Sequence, residues 1–264
     1  MNKKFWKNKR VLITGHTGFK GSWLTLILKD LGVKIYGYSL DPNSNPNFFD
    51  DLNLGLFLKK DFRKDILNTK DLNKVIKFTN PHIVFHLAAQ SSVLVSYKFP
   101  IETINTNVLG TANVLDAVKK NKFTKSMIIV TTDKVYENLE KNVSFSEKDK
   151  LGGHDVYSGS KAAAEIVTQS YLKSFFLKNK ICNIATVRSG NCIGGGDWTK
   201  DRIVKDCAES FLRNKKLIIR SPKATRPWQH VMEPLFGYLN LAEKLYHNKK
   251  FEGAWNFGPS KKSN

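Results

Sequence analysis

The sequence predicts an α/β protein built on a doubly wound parallel sheet, with a smaller substrate-binding subdomain after it. Three observations predict this. Short apolar runs alternate with segments of helical periodicity, a glycine cluster lies between the first run and the first helix, and the alternation stops after Arg188. Strands buried on both faces read as continuous apolar runs, and a strand–helix–strand order makes right-handed βαβ units.

Val11–Thr14 is the first such run, ending in glycine-rich punctuation. From Phe19 to Leu31, Trp23, Leu24, Ile27, Leu28 and Leu31 recur at helical spacing, and Gly32 stops that helix. Residues 33–38 form the second strand, and residues 42–58, with two prolines and several asparagines, a loop. Asp71–Thr79 reads as helix, residues 83–87 as strand, Ile104–Lys119 as helix and Met127–Val130 as strand. Val156–Phe176 follows as a longer helix, and Ile184–Val187 is the last strong parallel-strand candidate. Residues 1–188 are therefore expected to form a nucleotide-binding domain. Residues 189–264, with Gly194-Gly195-Gly196, two tryptophan loops (Trp198, Trp228) and short helices at Ile203–Leu212 and Leu235–His247, form a subdomain set on the sheet edge.

Gly15-His16-Thr17-Gly18-Phe19-Lys20-Gly21 stands where a dinucleotide pyrophosphate is bound in a Rossmann-type fold. One glycine permits the tight turn, one lets backbone approach the phosphates, one lets the helix pack on the sheet, and the helix start offers free N–H groups. Asp41, twenty positions after Gly21, suits a ribose-hydroxyl acceptor. A carboxylate there repels a 2′-phosphate, so NAD is expected over NADP.

The 264 residues carry 43 Lys and Arg against 23 Asp and Glu, a formal charge of +20. This surplus does not make a nucleic-acid binder. Only seven of the cations are Arg, the residue whose fork suits phosphates and base edges, and the lysines are spread along the chain. No zinc-finger spacing, aromatic RNA-binding run or basic helical repeat is present. Abundant Asn beside Lys has the look of codon bias. Three cysteines without a C-x-x-C pair read as reduced thiols, and no apolar stretch has the length of a leader or a membrane span. A cytoplasmic protein with no membrane and no nucleic-acid partner is expected, and the histidines show no metal-ligand spacing.

Tyr157-Ser158-Gly159-Ser160-Lys161 places a hydroxyl and an ammonium one helical turn apart. An ammonium nearby stabilises a phenolate, so the pair can supply a base near neutral pH. Thr131-Thr132-Asp133-Lys134 follows a strand, at the edge where open α/β sheets collect their active groups.

On these residues the chain resembles the extended short-chain dehydrogenase/reductases, and within them the CDP-glucose 4,6-dehydratase subfamily. The matching segments run nearly end to end: residues 14–23, 38–42, 86–90, 106–111, 131–138, 151–155, 188–198 and 226–231. The last three are distinctive of the subfamily. The resemblance implies one bound NAD, a nucleotide-sugar substrate (CDP-glucose) and a 4-keto-6-deoxy sugar product for deoxysugars of surface polysaccharides. It implies that Tyr157 takes the C4 hydroxyl proton, Thr132 holds that hydroxyl, and Lys161 binds the nicotinamide ribose and lowers the tyrosine's pKa. Asp133 protonates the leaving C6 hydroxyl. Lys134, where dTDP-sugar relatives carry Glu, either abstracts the C5 proton or stabilises the enolate. Beside the loop residues Gly15, Thr17, Gly18, Phe19, Lys20 and Gly21, the resemblance adds Asp61, Leu87, Ala88, Ala89 and Asn107 to the cofactor site. Gln90, Asn191, Trp198, Arg202, Arg220 and Arg226 are the implied substrate contacts, with arginine suited to bidentate phosphate binding. It also implies a homodimer through the helix that carries Tyr157.

Two departures stand out. Leu139 occupies a position where the family often has Lys, and relatives continue beyond the segment 255–259, so residues 189–264 are expected to be an incomplete subdomain. A sugar-nucleotide 4-epimerase is the nearest competing enzyme, but it has no use for the Asp133-Lys134 pair. A non-catalytic NAD-binding remnant is the competing reading from a different class.

Overall fold

The computed structural model describes residues 2–138, 144–179, 181–219 and 222–259. Among them a seven-stranded sheet forms from β1 (Arg10–Thr14), β2 (Lys34–Ser39), β3 (Leu58–Arg63), β4 (Ile83–His86), β5 (Ser126–Val130), β6 (Asn183–Ser189) and β9 (Gly253–Phe257). The order is β3-β2-β1-β4-β5-β6-β9, and every pairing is parallel. β7 (Cys192–Ile193) and β8 (Gln229–His230) pair separately above the sheet edge.

The central strands divide their apolar residues between two faces by strict alternation. Val11 and Ile13, Ile83 and Phe85, Ile128 and Val130, and Ala185 and Val187 point to one face. Leu12, Val84, Met127 with Ile129, and Ile184 point to the other. The first face is covered by helix α1 (Phe19–Asp30), through Leu24 and Leu28, and by a later C-terminal helix, Met232–His247. The second is covered by α2 (Thr69–Thr79) and α3 (Gly110–Lys119), through Leu72, Ile76, Val114 and Val118. Each of these side chains is almost fully buried, which at about 1.5–3 kcal/mol apiece makes this double layer the main stabilising element.

Three elements differ from the reading of the sequence. The resemblance expects Asp61 at the end of a third strand; that strand is β3, but Asp61 lies inside it, paired with Gly37, and Arg63 closes it. The expected helix Ile104–Lys119 extends back to Pro100 and carries one wider, π-type turn at Asn105–Leu109. β9 adds a strand beyond Ile184–Val187, so the sheet does not end there. α4 (Val156–Tyr171) reaches Phe176 as expected, but its last stretch, Leu172–Phe176, is a π-type turn. α5 (Ile203–Leu212) and α6 (Met232–His247) complete the chain's longer helices. Among the described residues after β6, α6 and β9 thus pack into the sheet's own core.

Candidate active site

The ends of β1, β2, β3, β4, β5 and β6 open onto one edge, and most of the expected site residues collect there. Gly15 leaves β1 at φ +76°, a left-handed conformation that favours glycine, and a Cβ on it would stand 2.6 Å from the Ala88 nitrogen. Leu87 and Ala88 are held against this turn by their amides, which donate to the Thr14 carbonyl and hydroxyl at 3.0 and 3.3 Å. Gly21 packs directly on the Gly15 carbonyl, so α1 begins flush with the loop. Gly18 caps α1 without a side-chain hydrogen bond, and little lies near its missing Cβ. The helix start is therefore open to an anion, and these residues fit the pyrophosphate of a dinucleotide.

Thr17 fastens the loop to the end of β2, its hydroxyl meeting Ser39 at 2.8 Å and donating to the Leu40 carbonyl at 3.0 Å. Asp61 bonds the buried His16 ring at 2.9 Å and receives Arg63 on both carboxylate oxygens. Burial works to raise the Asp61 pKa, but the hydrogen bonds from His16 and Arg63 outweigh it and hold the carboxyl below the usual range. Arg63, which the sequence did not single out, also reaches Asp41 at 3.2 Å.

The catalytic candidates meet beyond β5. Thr132 donates to Asp133 at 3.1 Å, Lys134 pairs with the same carboxylate oxygen at 3.0 Å, and Thr132 is among the groups acting on the buried Tyr157 hydroxyl. Asp155 caps α4 and so sets the rotation of Tyr157 and Lys161 into the site. Gly190, at the end of β6, lies so near that a Cβ would come within 3.3 Å of Asp133 and 2.5 Å of Pro227.

The Tyr157 pKa runs opposite to expectation. Burial raises it above the ordinary phenol value, against the interaction with Thr132 and the charges of Lys20 and Arg202, which lower it. Lys161 donates instead to the Val130 carbonyl at 3.2 Å, and its own pKa is lowered to about 8, by burial and then by Lys20. Lys20 lies in the first turn of α1, and its side chain is spent elsewhere. It reaches the Ser189 hydroxyl at 2.6 Å, which also receives the Tyr238 hydroxyl at 2.9 Å.

Asn191 and Arg202 each leave a buried polar atom without a hydrogen-bond partner, Oδ1 and Nε respectively, although Arg202 lies 3.8 Å from Asp197. Trp198 lines a cleft with Thr17, Gly18, Phe19 and Phe48. Gln90 and Asn107 spend their side chains on the scaffold. Gln90 bonds Ser92 and Thr103, and Asn107 clamps the Gln90 backbone at 2.9 and 3.0 Å and Ser160 at 2.8 Å. Arg226 is exposed and bonds its neighbour Thr225, while Arg220 and Leu139 lie outside the described residues. No helix of the described residues is long and apolar enough to cross a membrane, and none of their His, Cys, Asp or Glu side chains group to hold a metal ion.

Residues 12–249 match the family model for GDP-mannose 4,6 dehydratase. The chain belongs to that family. It is 45% identical over 98% of its length to a CDP-glucose 4,6-dehydratase of Salmonella typhimurium, spanning 73% of that protein. It is 34% identical over 84% of its length to a dTDP-D-glucose 4,6-dehydratase of Dictyostelium discoideum, spanning 53% of it. Among solved structures, a dTDP-glucose 4,6-dehydratase from Bacillus anthracis in complex with NAD matches with a TM-score of 0.79 and 25% identity. That match covers 96% of this chain and 76% of the other. In this family member, the signals that the sequence reading missed are Arg63, Ser189, Gly190 and Tyr238. Each acts through a contact distant in sequence.

Proposed function

We propose that the protein is an NAD-dependent CDP-glucose 4,6-dehydratase. The observation that carries this reading is the convergence of Tyr157, Thr132, Asp133 and Lys134 at the sheet edge that also presents the uncapped start of α1. Bound NAD would supply a hydride acceptor for sugar C4 and, later, a hydride donor for C6. Gly15, Thr17, Gly18, Phe19 and Gly21 hold its pyrophosphate, Asp41 its adenosine ribose, Asp61 its adenine end and Lys161 its nicotinamide ribose.

Thr132 holds the C4 hydroxyl and Tyr157 takes its proton, with Lys20 and Arg202 as the cations that favour the phenolate. The resulting 4-ketone acidifies C5. Asp133 and Lys134 stand 3.0 Å apart, close enough to act as a proton-donating and proton-accepting couple. Lys134 accepts the C5 proton while Asp133 delivers one to the C6 hydroxyl, which leaves as water. One proton returns from the pair to C5 as the hydride reaches C6, and the proton that Tyr157 took from the C4 hydroxyl passes back to the pair, so the protein ends as it began. An epimerase needs no such couple.

The buried Asn191 Oδ1 and Arg202 Nε, neither of which has a hydrogen bond, are the groups offered to the nucleotide sugar, Arg202 from its loose ion pair with Asp197. The free thiols Cys182, Cys192 and Cys207 suit the cytoplasm. Leu94, Tyr97, Phe99, Ile101, Leu109 and Ile166 expose apolar surface on α4 and the segments packed against it, which supports a homodimer closed over that face. Sedimentation should then give twice the chain mass.

Incubation with CDP-glucose and NAD should yield a 4-keto product that absorbs in the near ultraviolet in alkali. No product from folded, NAD-loaded protein would remove the dehydratase reading. Tyr157→Phe should lower turnover by about 10²–10⁴-fold with NAD still bound.

A further inference from the structure

Lys20 follows the open start of α1 directly, yet its half-buried side chain is tied to the end of β6. Its ammonium donates to the Ser189 hydroxyl at 2.6 Å, and the buried Tyr238 hydroxyl donates to the same oxygen at 2.9 Å. The ammonium also stands 5.9 Å from the Tyr238 ring centroid. Ser189 precedes Gly190, on which a Cβ would lie 3.3 Å from Asp133 Oδ2. The anchor of this ammonium therefore adjoins the acid of the catalytic cluster. Its field is felt by the cluster's other members: after burial, Lys20 is what lowers the Lys161 pKa, and it acts on Tyr157 as well. Burial works to lower the pKa of Lys20 itself, but Tyr238, Cys192 and Tyr157 outweigh it, so the group is an ammonium at neutral pH. Its anchor is a neutral hydroxyl, which leaves the charge uncancelled where it is held.

With the pyrophosphate on the glycine loop and the nicotinamide ribose on Lys161, Lys20 belongs to the hydride-transfer end of the cleft. We propose that Lys20 is a fixed cation that favours the reduced form of the bound cofactor over the oxidised form and so raises its reduction potential. The direction follows from charge. An oxidised nicotinamide ring is positive and a reduced one neutral, so a resident ammonium repels only the first. When sugar C4 is oxidised, its C–H bond breaks with the electron pair, that hydride neutralises the ring, and the hydroxyl proton goes to Tyr157. Lys20 eases this transfer and resists, by the same amount, the return of the hydride to C6 after water has left. Ser189 and Tyr238 keep the ammonium in place against the repulsion of Lys161 without supplying a counter-charge. The proposal rests on the reading that this cleft binds NAD.

Calorimetric titration of the full chain with NAD and with NADH gives both dissociation constants without turnover. Lys20→Met should shift their ratio about tenfold in favour of NAD, which is about 30 mV in a two-electron couple. A merely structural role would weaken both ligands alike and leave the ratio where it was. Lys20→Arg keeps the charge and should hold the ratio within about twofold of wild type. If Lys20→Met unfolds below the assay temperature, Lys20→Gln replaces it, keeping a donor for Ser189, and should give the same shift. An unchanged ratio in the folded neutral variant, or a shift that Lys20→Arg reproduces, overturns the proposal. A folded wild type that binds neither NAD nor NADH overturns the dinucleotide reading itself and this proposal with it.

Discussion

Glu165 on α4 and Arg188 on β6 form a buried ion pair that ties the helix of Tyr157 to the sheet. Arg188 Nε donates to Glu165 at 2.7 Å and its Nη2 bonds the second oxygen, while Thr131, next to Thr132, donates to the same carboxylate at 2.6 Å. Arg188 also donates to Tyr136 at 2.7 Å, and Tyr136 to Asn256 on β9 at 2.7 Å. The network thus joins four separate segments beneath the candidate site.

Removing one partner strands the other charge in a dry interior. Glu165→Ala should cost about 3–5 kcal/mol in urea unfolding, and the paired change Glu165→Leu with Arg188→Met should recover most of it. Equal losses for the single and double variants would show that packing, not charge, dominates there.

Lys161 gives a signed dependence on pH. Its pKa falls from 10.5 to about 8 on folding, so between those values the unfolded chain binds the extra proton and stability rises with pH. The penalty is fully present below about pH 8. Lys161→Met should remove it: the variant should be inactive yet more stable than wild type at pH 7, and the advantage should shrink by pH 10. Urea midpoints at the two pH values measure this.

His86 acts in the opposite pH range. Burial, then the charge of Lys161, lowers its pKa to about 3, and it is bonded to Thr14 at 2.7 Å and Thr111 at 3.1 Å. His82 is lowered to about 4, by burial and then by Arg10 and Lys9. Each histidine stays neutral in the fold and takes up a proton on unfolding, so stability should fall progressively as pH drops below 6.5. His86→Gln should flatten that slope between pH 6.5 and 4, as read from thermal midpoints across a buffer series.

Trp23 links α1 to the loop over the sheet edge. Its indole N–H donates to the Gly195 carbonyl at 3.0 Å, its ring stacks on Phe48 at 5.0 Å, and Gly196, at φ +83°, packs against Phe48. Trp23→Phe keeps the stack and loses the hydrogen bond, so KM for the nucleotide sugar should rise about two- to tenfold with kcat nearly unchanged. A fall in kcat alone would place the loop's role in chemistry instead of binding.

The central strands were legible because they are buried on both faces, which leaves a run such as Ile83-Val84-Phe85 almost without polar residues. The edge strands were not. β3 reads Leu-Lys-Lys-Asp-Phe-Arg, and β9 carries no fully buried residue, because an edge strand needs charge or cover more than an apolar run. Within the site, the one-turn spacing of Tyr157 and Lys161 was legible because a helix sets it locally, but the bond from Lys161 to the Val130 carbonyl was not.

The sequence by itself determined the alternating sheet, the glycine turn before α1 and the Tyr157–Lys161 spacing, all of which depend on neighbours within a few residues. Only the tertiary structure decided that Lys20 reaches Ser189, that Arg63 meets both Asp61 and Asp41, and that burial raises the Tyr157 pKa despite the cations around it. The physical reason is common to all three. Distances between remote segments and the loss of water around a charge arise from the packing of the whole chain, and no local pattern encodes them.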